Sequence, residues 1–284
     1  LSRLIRRLER EYPVAFVRLI RLTVLLLRFR VRFFPRRAVL FAGQAYYNAW
    51  YLSRALRKLG WRADVLNWDA DPTTDIYYHG EDHKFDYTVP EDVYAHLEFY
   101  LRALFRYDVF HFSNAHGIHF GFPMYAWFRE RFGESSEIYL LKRIGKKIVY
   151  SNNGCHDGVS QSAFSRWGPE SVCAICRWRN EPTVCSDERN LKWGAFRNSV
   201  ADFQCTLGGN RADFNDDPRV HEVPQFYCLD SEFWYPGVEI PPAFRLPEVP
   251  EGTVRLYHAV GHRAERTTED GLNIKCSHIY LPLI

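Results

Sequence analysis

"AVLFAGQAYYNAWYLSRALRKLGWRADVLNW", residues 38–68, is a strand, a turn, a helix and a second strand in one uninterrupted run. Its opening "AVLFAG" is a short apolar segment ending in Gly43, the form of a strand buried on both faces of a parallel sheet. "AYYNAWYLSRALRKLGW" then places apolar residues at helical spacing, and Gly60 stops the helix. "RADVLNW" is the next strand.

The same alternation continues along the chain. "EDVYAHLEFYLRALFRY" (91–107) is an amphipathic helix, "DVFHFSN" (108–114) a strand, "IYLLKRIG" (138–145) a helix and "KKIVYSN" (146–152) a strand. Further on, "DERNLKWGAFRNSV" (187–200) is helical, while "ADFQCTL" (201–207) and "VHEVPQF" (220–226) are strands. Strand–helix–strand repetition predicts right-handed βαβ units and an α/β fold of Rossmann-like type around a parallel sheet. This body is expected over 38–236. A proline-rich connection at 237–252 leads to "VRLYHAVGHR" (254–263), the start of a second domain at 253–284. A lone strand–helix start cannot bury its own faces, so that second domain is expected to be incomplete. The opening Leu1, in place of Met, likewise predicts a fragment.

Charge divides the chain unevenly. Overall the net charge is +3, with 46% hydrophobic, 16% aromatic and 25% charged residues, a globular composition. Residues 1–37 hold eleven arginines and two glutamates, and the rest of the chain is net acidic. The longest uncharged stretch of this arm past Pro13 is 22–27, too short to span a bilayer, and no secretory signal is visible. Two readings stay open for the arm. It lies in the interface of an anionic membrane, or it packs on the body with its arginines snorkelling. The acidic body and the lack of a recognition motif argue against nucleic acid as a partner. Seven cysteines, an odd number, and no Asn-x-Ser/Thr sequon point to a reducing, cytoplasmic compartment.

In open α/β sheets ligands bind beyond the carboxyl ends of the strands. Those ends fall at 43–48, 113–119, 151–157 and 259–263, all polar and rich in Gly, Asn or His. The first loop, "GQAYYNAW", places Gly43 at the crevice but is no GxGxxG, which argues against a dinucleotide-dependent dehydrogenase. In "FHFSNAHGIHF" His111 alternates with apolar residues and reads as a core histidine, whereas His116 and His119 fall past the strand end. There an imidazole can bind a hydroxyl or act as a base. "SNNGCHDG" (151–158) adds His156 and Asp157 at the next strand end.

Cys155, Cys173, Cys176 and Cys185 follow the spacing C-x17-C-x2-C-x8-C, which permits a closed tetrahedral zinc site within the segment 155–185. The alternative is a set of buried or disulfide-bonded cysteines. Cys205, in a strand, reads as core; Cys228 and Cys276 have no obvious partner. In "HAVGHRAERTTEDGLNIKC" (258–276), Arg263, Arg266 and Lys275 carry enough positive charge for a diphosphate, or else form a solvated charged loop.

The span from Ala38 onward resembles the GT-B type of glycosyltransferase, in the retaining family related to sucrose and glycogen synthases. The residues that carry the resemblance are "VLFAGQAYYNAWYLSRALRKLG", "YDVFHFSN", "LLKRIGKKIVYSNNGC" and "VRLYHAVGHR…NIKCSH". It implies a hexosyltransferase-like enzyme with an N-terminal acceptor domain and a C-terminal domain for a nucleotide diphosphate sugar. The fragment itself would then be inactive; the alternative function is that of a zinc-stabilised binding module without catalysis. Gly154, Cys155 and Asp157 match a Gly-Cys-Asp loop that faces the acceptor, with His156 inserted. Arg263 or Arg266 with Lys275 match the pair that grips the donor diphosphate, although Cys276 stands where a glycine is expected. With that loop at the acceptor, His116, His156 and Asp157 are the candidates for positioning the acceptor hydroxyl, and the cysteine spacing adds zinc as a structural ion.

Overall fold

The computed structural model describes residues 2–42, 47–67, 81–85, 93–113, 118–151, 158–166, 171–176, 178–206 and 211–222, with isolated positions beyond. Seven strands form one all-parallel sheet: β1 (Ala38–Ala42), β2 (Arg62–Asn67), β3 (His83–Lys84), β4 (Val109–Phe112), β5 (Lys147–Ser151), β6 (Phe203–Thr206) and β7 (Val220–Glu222). Their order across the sheet is β3-β2-β1-β4-β5-β6-β7. The chain therefore winds outward to one side of β1, returns past it, and winds out to the other side. That is a doubly wound, Rossmann-like sheet, and the reversal lies between β1 and β4.

Helices cover both faces, and the apolar runs explain why. In β1 all five residues are buried, and alternate ones serve different cores. Val39 and Phe41, with Ala63 and Val65 of β2, pack under Ala49, Leu52 and Leu56 of α3 (Tyr47–Lys58). Leu40, Phe110, Ile148 and Tyr150 face the larger core. It is closed by α4 (Val93–Arg106), α5 (Phe122–Phe132), α6 (Ser136–Ile144) and α9 (Asp187–Val200). Two short helices, α7 (Gln161–Ser165) and α8 (Val172–Ile175), lie between β5 and α9.

The basic arm is a pair of helices, α1 (Ser2–Glu11) and α2 (Pro13–Phe33), split where Pro13 forces Tyr12 out of helical geometry. The packing reading of the arm holds for the inner side of α2. Its inner side is part of the fold: Val24 and Leu27 join the larger core, and Leu27 is 1% exposed. Arg30 grips Asp108 through both guanidinium nitrogens, at 2.8 and 2.5 Å. Lys146 Nζ donates to the same carboxylate at 2.8 Å and the Arg36 backbone N–H at 2.7 Å. Burial alone would raise the Asp108 pKa. The hydrogen bonds from Arg30, Lys146 and Arg36 outweigh it and hold the carboxyl below its ordinary value. On α1, Glu9 accepts from Arg131 at 2.6 Å and from the Tyr94 hydroxyl at 2.8 Å. The outer side of α2 is apolar, basic and exposed.

Candidate functional site

The carboxyl ends of β1 and β4 flank the reversal in strand order, where a doubly wound sheet opens a crevice. The loops at 43–46 and 114–117 lie outside the described residues, but the residues on either side of them are placed. Asn48, in the first turn of α3, is 2% exposed, and its Oδ1 has no hydrogen-bond partner among the described residues. Thr206, at the carboxyl end of β6 two strands beyond β4, is 3% exposed, and its Oγ1 likewise lacks a partner among the described residues. A buried oxygen without a donor is costly in a folded protein, and at a ligand-binding edge it marks a place where a donor can arrive.

His119 sits just past the β4 loop. The Gly121 N–H donates to its Nδ1 at 3.1 Å, and its ring lies 5.1 Å from that of Phe122. Gly121 caps α5 at φ 110°, a backbone open to glycine. Burial depresses the His119 pKa to about 4. The ring is therefore neutral near pH 7 and, with Nδ1 accepting, carries its proton on Nε2. Such a group positions a hydroxyl better than it removes its proton.

A row of polar side chains crosses the next three strand ends. His111 Nε2 lies 2.6 Å from Ser151 Oγ, and Ser151 Oγ lies 2.9 Å from Cys205 Sγ. Parallel register brings them together: Ser151 stands beside Cys205, and His111 beside Val149, two residues short of Ser151. Burial lowers the His111 pKa to about 3. It raises that of Cys205, with a smaller opposing effect from Ser151. The imidazole is neutral and the thiol stays protonated, the reverse of what a nucleophilic cysteine needs. The row is a scaffold that fixes Ser151, where "SNNGCHDG" begins. Sequence reading assigns His111 and Cys205 to the core; Cys205 is buried and His111 is half-buried at the sheet face. It missed their link, whose only signal is that all three sit on one face at neighbouring strand ends.

The far end of that loop is fixed as well. At Gly158 (φ +76°) a Cβ would stand 3.0 Å from the Gly194 Cα and 3.2 Å from Arg197 Nη2. The loop backbone at Gly158 and the α9 backbone at Gly194 meet here without side chains between them. Arg197, 1% exposed, donates to Asn215 Oδ1 at 2.7 Å. The Ser160 backbone N–H and hydroxyl both donate to Asp213 Oδ2, at 2.8 and 2.7 Å. The Gln161 backbone N–H reaches Asp187 Oδ1 at 2.5 Å. So 158–161 is tied to α9 and to the 3-10 turn at Asp213–Asp216.

The remaining candidates divide by position. Gly43, His116, Cys155, His156, Asp157, Arg263, Arg266 and Lys275 lie outside the described residues. Cys173 and Cys185 are buried, Cys176 is partly so, and none of the three is in a disulfide. Cys185 Sγ accepts from Gln161 Nε2 at 3.4 Å and from Asn190 Nδ2 at 3.6 Å. Cys173 belongs to a small core with Val159, Ala163 and Phe164. Among the described residues no three His, Cys, Asp or Glu side chains come together to hold a metal ion. The three described thiols thus do not by themselves form the zinc site expected from their spacing. Comparison with known proteins finds no matching family model, no similar curated protein and no similar solved structure.

Proposed function

We propose that the chain carries the acceptor-binding domain of a GT-B glycosyltransferase, moving a sugar from a nucleotide diphosphate sugar to an acceptor hydroxyl. The observation that carries this reading is the make-up of the reversal point. A doubly wound sheet opens there beside uncharged polar groups, with a buried acceptor, Asn48 Oδ1, in the first turn of α3. Those suit a hydroxyl-rich ligand. The loop "GQAYYNAW" lacks the glycine fingerprint that would seat a pyrophosphate on α3. A diphosphate must then be held elsewhere, and Arg263, Arg266 and Lys275 of the second domain are assigned to it.

In the transfer itself the bond from the anomeric carbon to the diphosphate oxygen breaks. A bond from that carbon to the acceptor oxygen forms, and the hydroxyl proton passes to the departing diphosphate or to a base. Cations beside the diphosphate stabilise the charge that develops on it. His116, His156 and Asp157 are assigned to orient the acceptor hydroxyl, since placement at the anomeric carbon lowers the entropic part of the barrier. The neutral His119 supports that positioning role. Zinc on Cys155, Cys173, Cys176 and Cys185 stays an expectation, since the three described thiols do not come together to hold an ion. It supplies no step here and rests on cysteine spacing alone.

Two substitutions test the assignment. Asp157→Asn is expected to cut transfer while donor affinity, measured by calorimetry, stays near that of the wild type. Lys275→Ala is expected to weaken donor affinity by about 1.5–3 kcal/mol, the scale of a hydrogen bond to a charged group. If Asp157→Asn abolishes donor binding and Lys275→Ala leaves it unchanged, the roles of the two domains are reversed.

A further inference from the structure

We infer that the outer face of α2 docks the protein onto an anionic lipid bilayer, lying flat in its interface. This is independent of the sugar-transfer reading. Leu19, Leu22, Leu26, Phe29 and Phe33 recur at spacings of three and four along the helix, each at least half exposed, and Phe34 follows at 63%. Exposed large apolar residues are ordinary when scattered, but a contiguous stripe along a whole helix marks a contact surface. Arg18, Arg21, Arg28 and Arg32 flank the stripe, all exposed, and α2 contains no acidic residue.

The surroundings extend the same chemistry. A groove of about 770 Å³ between the end of α2 and the end of α6 is lined by Arg28, Arg32, Arg36, Lys142, Arg143 and Lys147, with Phe29 and Phe33 on its wall. Its one acid, Asp108, is already held by Arg30 and Lys146. Lys142 and Lys147 share Asp202, which leaves the arginines as surplus positive charge. On the other flank of α2, a mostly apolar groove of about 570 Å³ has Arg21, Arg28 and Arg143 among its lining residues.

Charge selects the occupant. A second copy of α2 would set arginine against arginine with no carboxylate to answer it, whereas phospholipid headgroups supply the missing anions. Crossing the bilayer is not an option for this helix: no described helix is long and apolar enough. A basic, apolar helix that cannot span lies in the interface, its apolar stripe at the acyl boundary. The link 34–37 runs from α2 straight to the start of β1, so this end of the docking face lies at the sheet edge opposite the crevice.

Vesicle co-sedimentation tests the inference, comparing phosphatidylcholine alone with phosphatidylcholine mixed with phosphatidylglycerol. The expected result is binding to the mixed vesicles only, weakened by salt. Phe29→Ser with Phe33→Ser should abolish it. Each of Arg18→Gln, Arg21→Gln and Arg32→Gln should weaken it about fivefold, the equivalent of about 1 kcal/mol per charge near an anionic surface. All these residues are exposed, so thermal melting should match the wild type, and the aromatic and arginine series check each other. Equal binding to both vesicle types, no binding to either, or unchanged binding in both series would overturn it. So would light scattering that shows a dimer dispersed by the phenylalanine changes, which would make the face a self-association surface.

Discussion

Glu137 shows how far a single residue can depart from its ordinary chemistry in this fold. It occupies the first turn of α6, is fully buried, and no other described residue hydrogen-bonds to either carboxylate oxygen. Burial raises its pKa to about 7, partly offset by a hydrogen bond from its own backbone N–H. The folded protein therefore binds a proton that the unfolded chain releases near pH 4.5, and stability falls as pH rises between those values. Above pH 7 the full penalty applies, about 3 kcal/mol for that separation of titrations. Glu137→Gln should accordingly stabilise the protein at about pH 8 and change little at about pH 5, by chemical denaturation at each pH. A variant equally stabilised at both would show that the carboxylate is not the source. Nothing in "GESSEIYLL" distinguishes this glutamate from a solvated one, because its burial is decided by helices far away in sequence.

Among the elements, α2 is where packing and surface chemistry meet. Its hold on the body passes through Asp108, whose neighbours Arg30 and Lys146 are largely buried, with side-chain exposures of 17% and 0%. Removing the one carboxylate leaves two buried cations unanswered. Asp108→Asn should cost about 3–5 kcal/mol, the usual effect of breaking a buried pair, and urea denaturation measures it. A loss within the range of a surface substitution would mean that α2 is only loosely attached. Long apolar runs made most elements legible in sequence: β1, β2, β4, β5 and the helices α3, α4, α6 and α9 fall where periodicity places them. The short elements β3, α7, α8 and the 3-10 turn, and the helix α5, did not show. β3 is two residues long and exists through pairing with Leu66 and Asn67. It is steadied by the Asp82 carboxylate, which accepts from the Val65 N–H at 2.9 Å. The start of α5 reads as a turn, Gly121-Phe122-Pro123, and aromatic residues at both ends, Phe122 and Phe132, are exposed and blur its apolar stripe.

Across the whole molecule, strand order makes the site. Ser151, His111 and Cys205 are 40 and 54 residues apart in sequence, yet hydrogen-bonded once β4, β5 and β6 lie side by side. Sequence alone placed the polar loops at strand ends but could not say which ends adjoin. The order β3-β2-β1-β4-β5-β6-β7 answers that by putting the reversal between β1 and β4. The central claim is that this crevice holds an acceptor for sugar transfer. Release of nucleoside diphosphate tests it most directly: the protein is mixed with UDP- or GDP-hexoses and oligosaccharide acceptors. Acceptor-dependent release is expected, lowered at least tenfold by Asn48→Leu, which removes the buried acceptor oxygen at the crevice, while melting stays unchanged. A protein that binds no nucleotide sugar and releases no diphosphate with any acceptor would contradict the account.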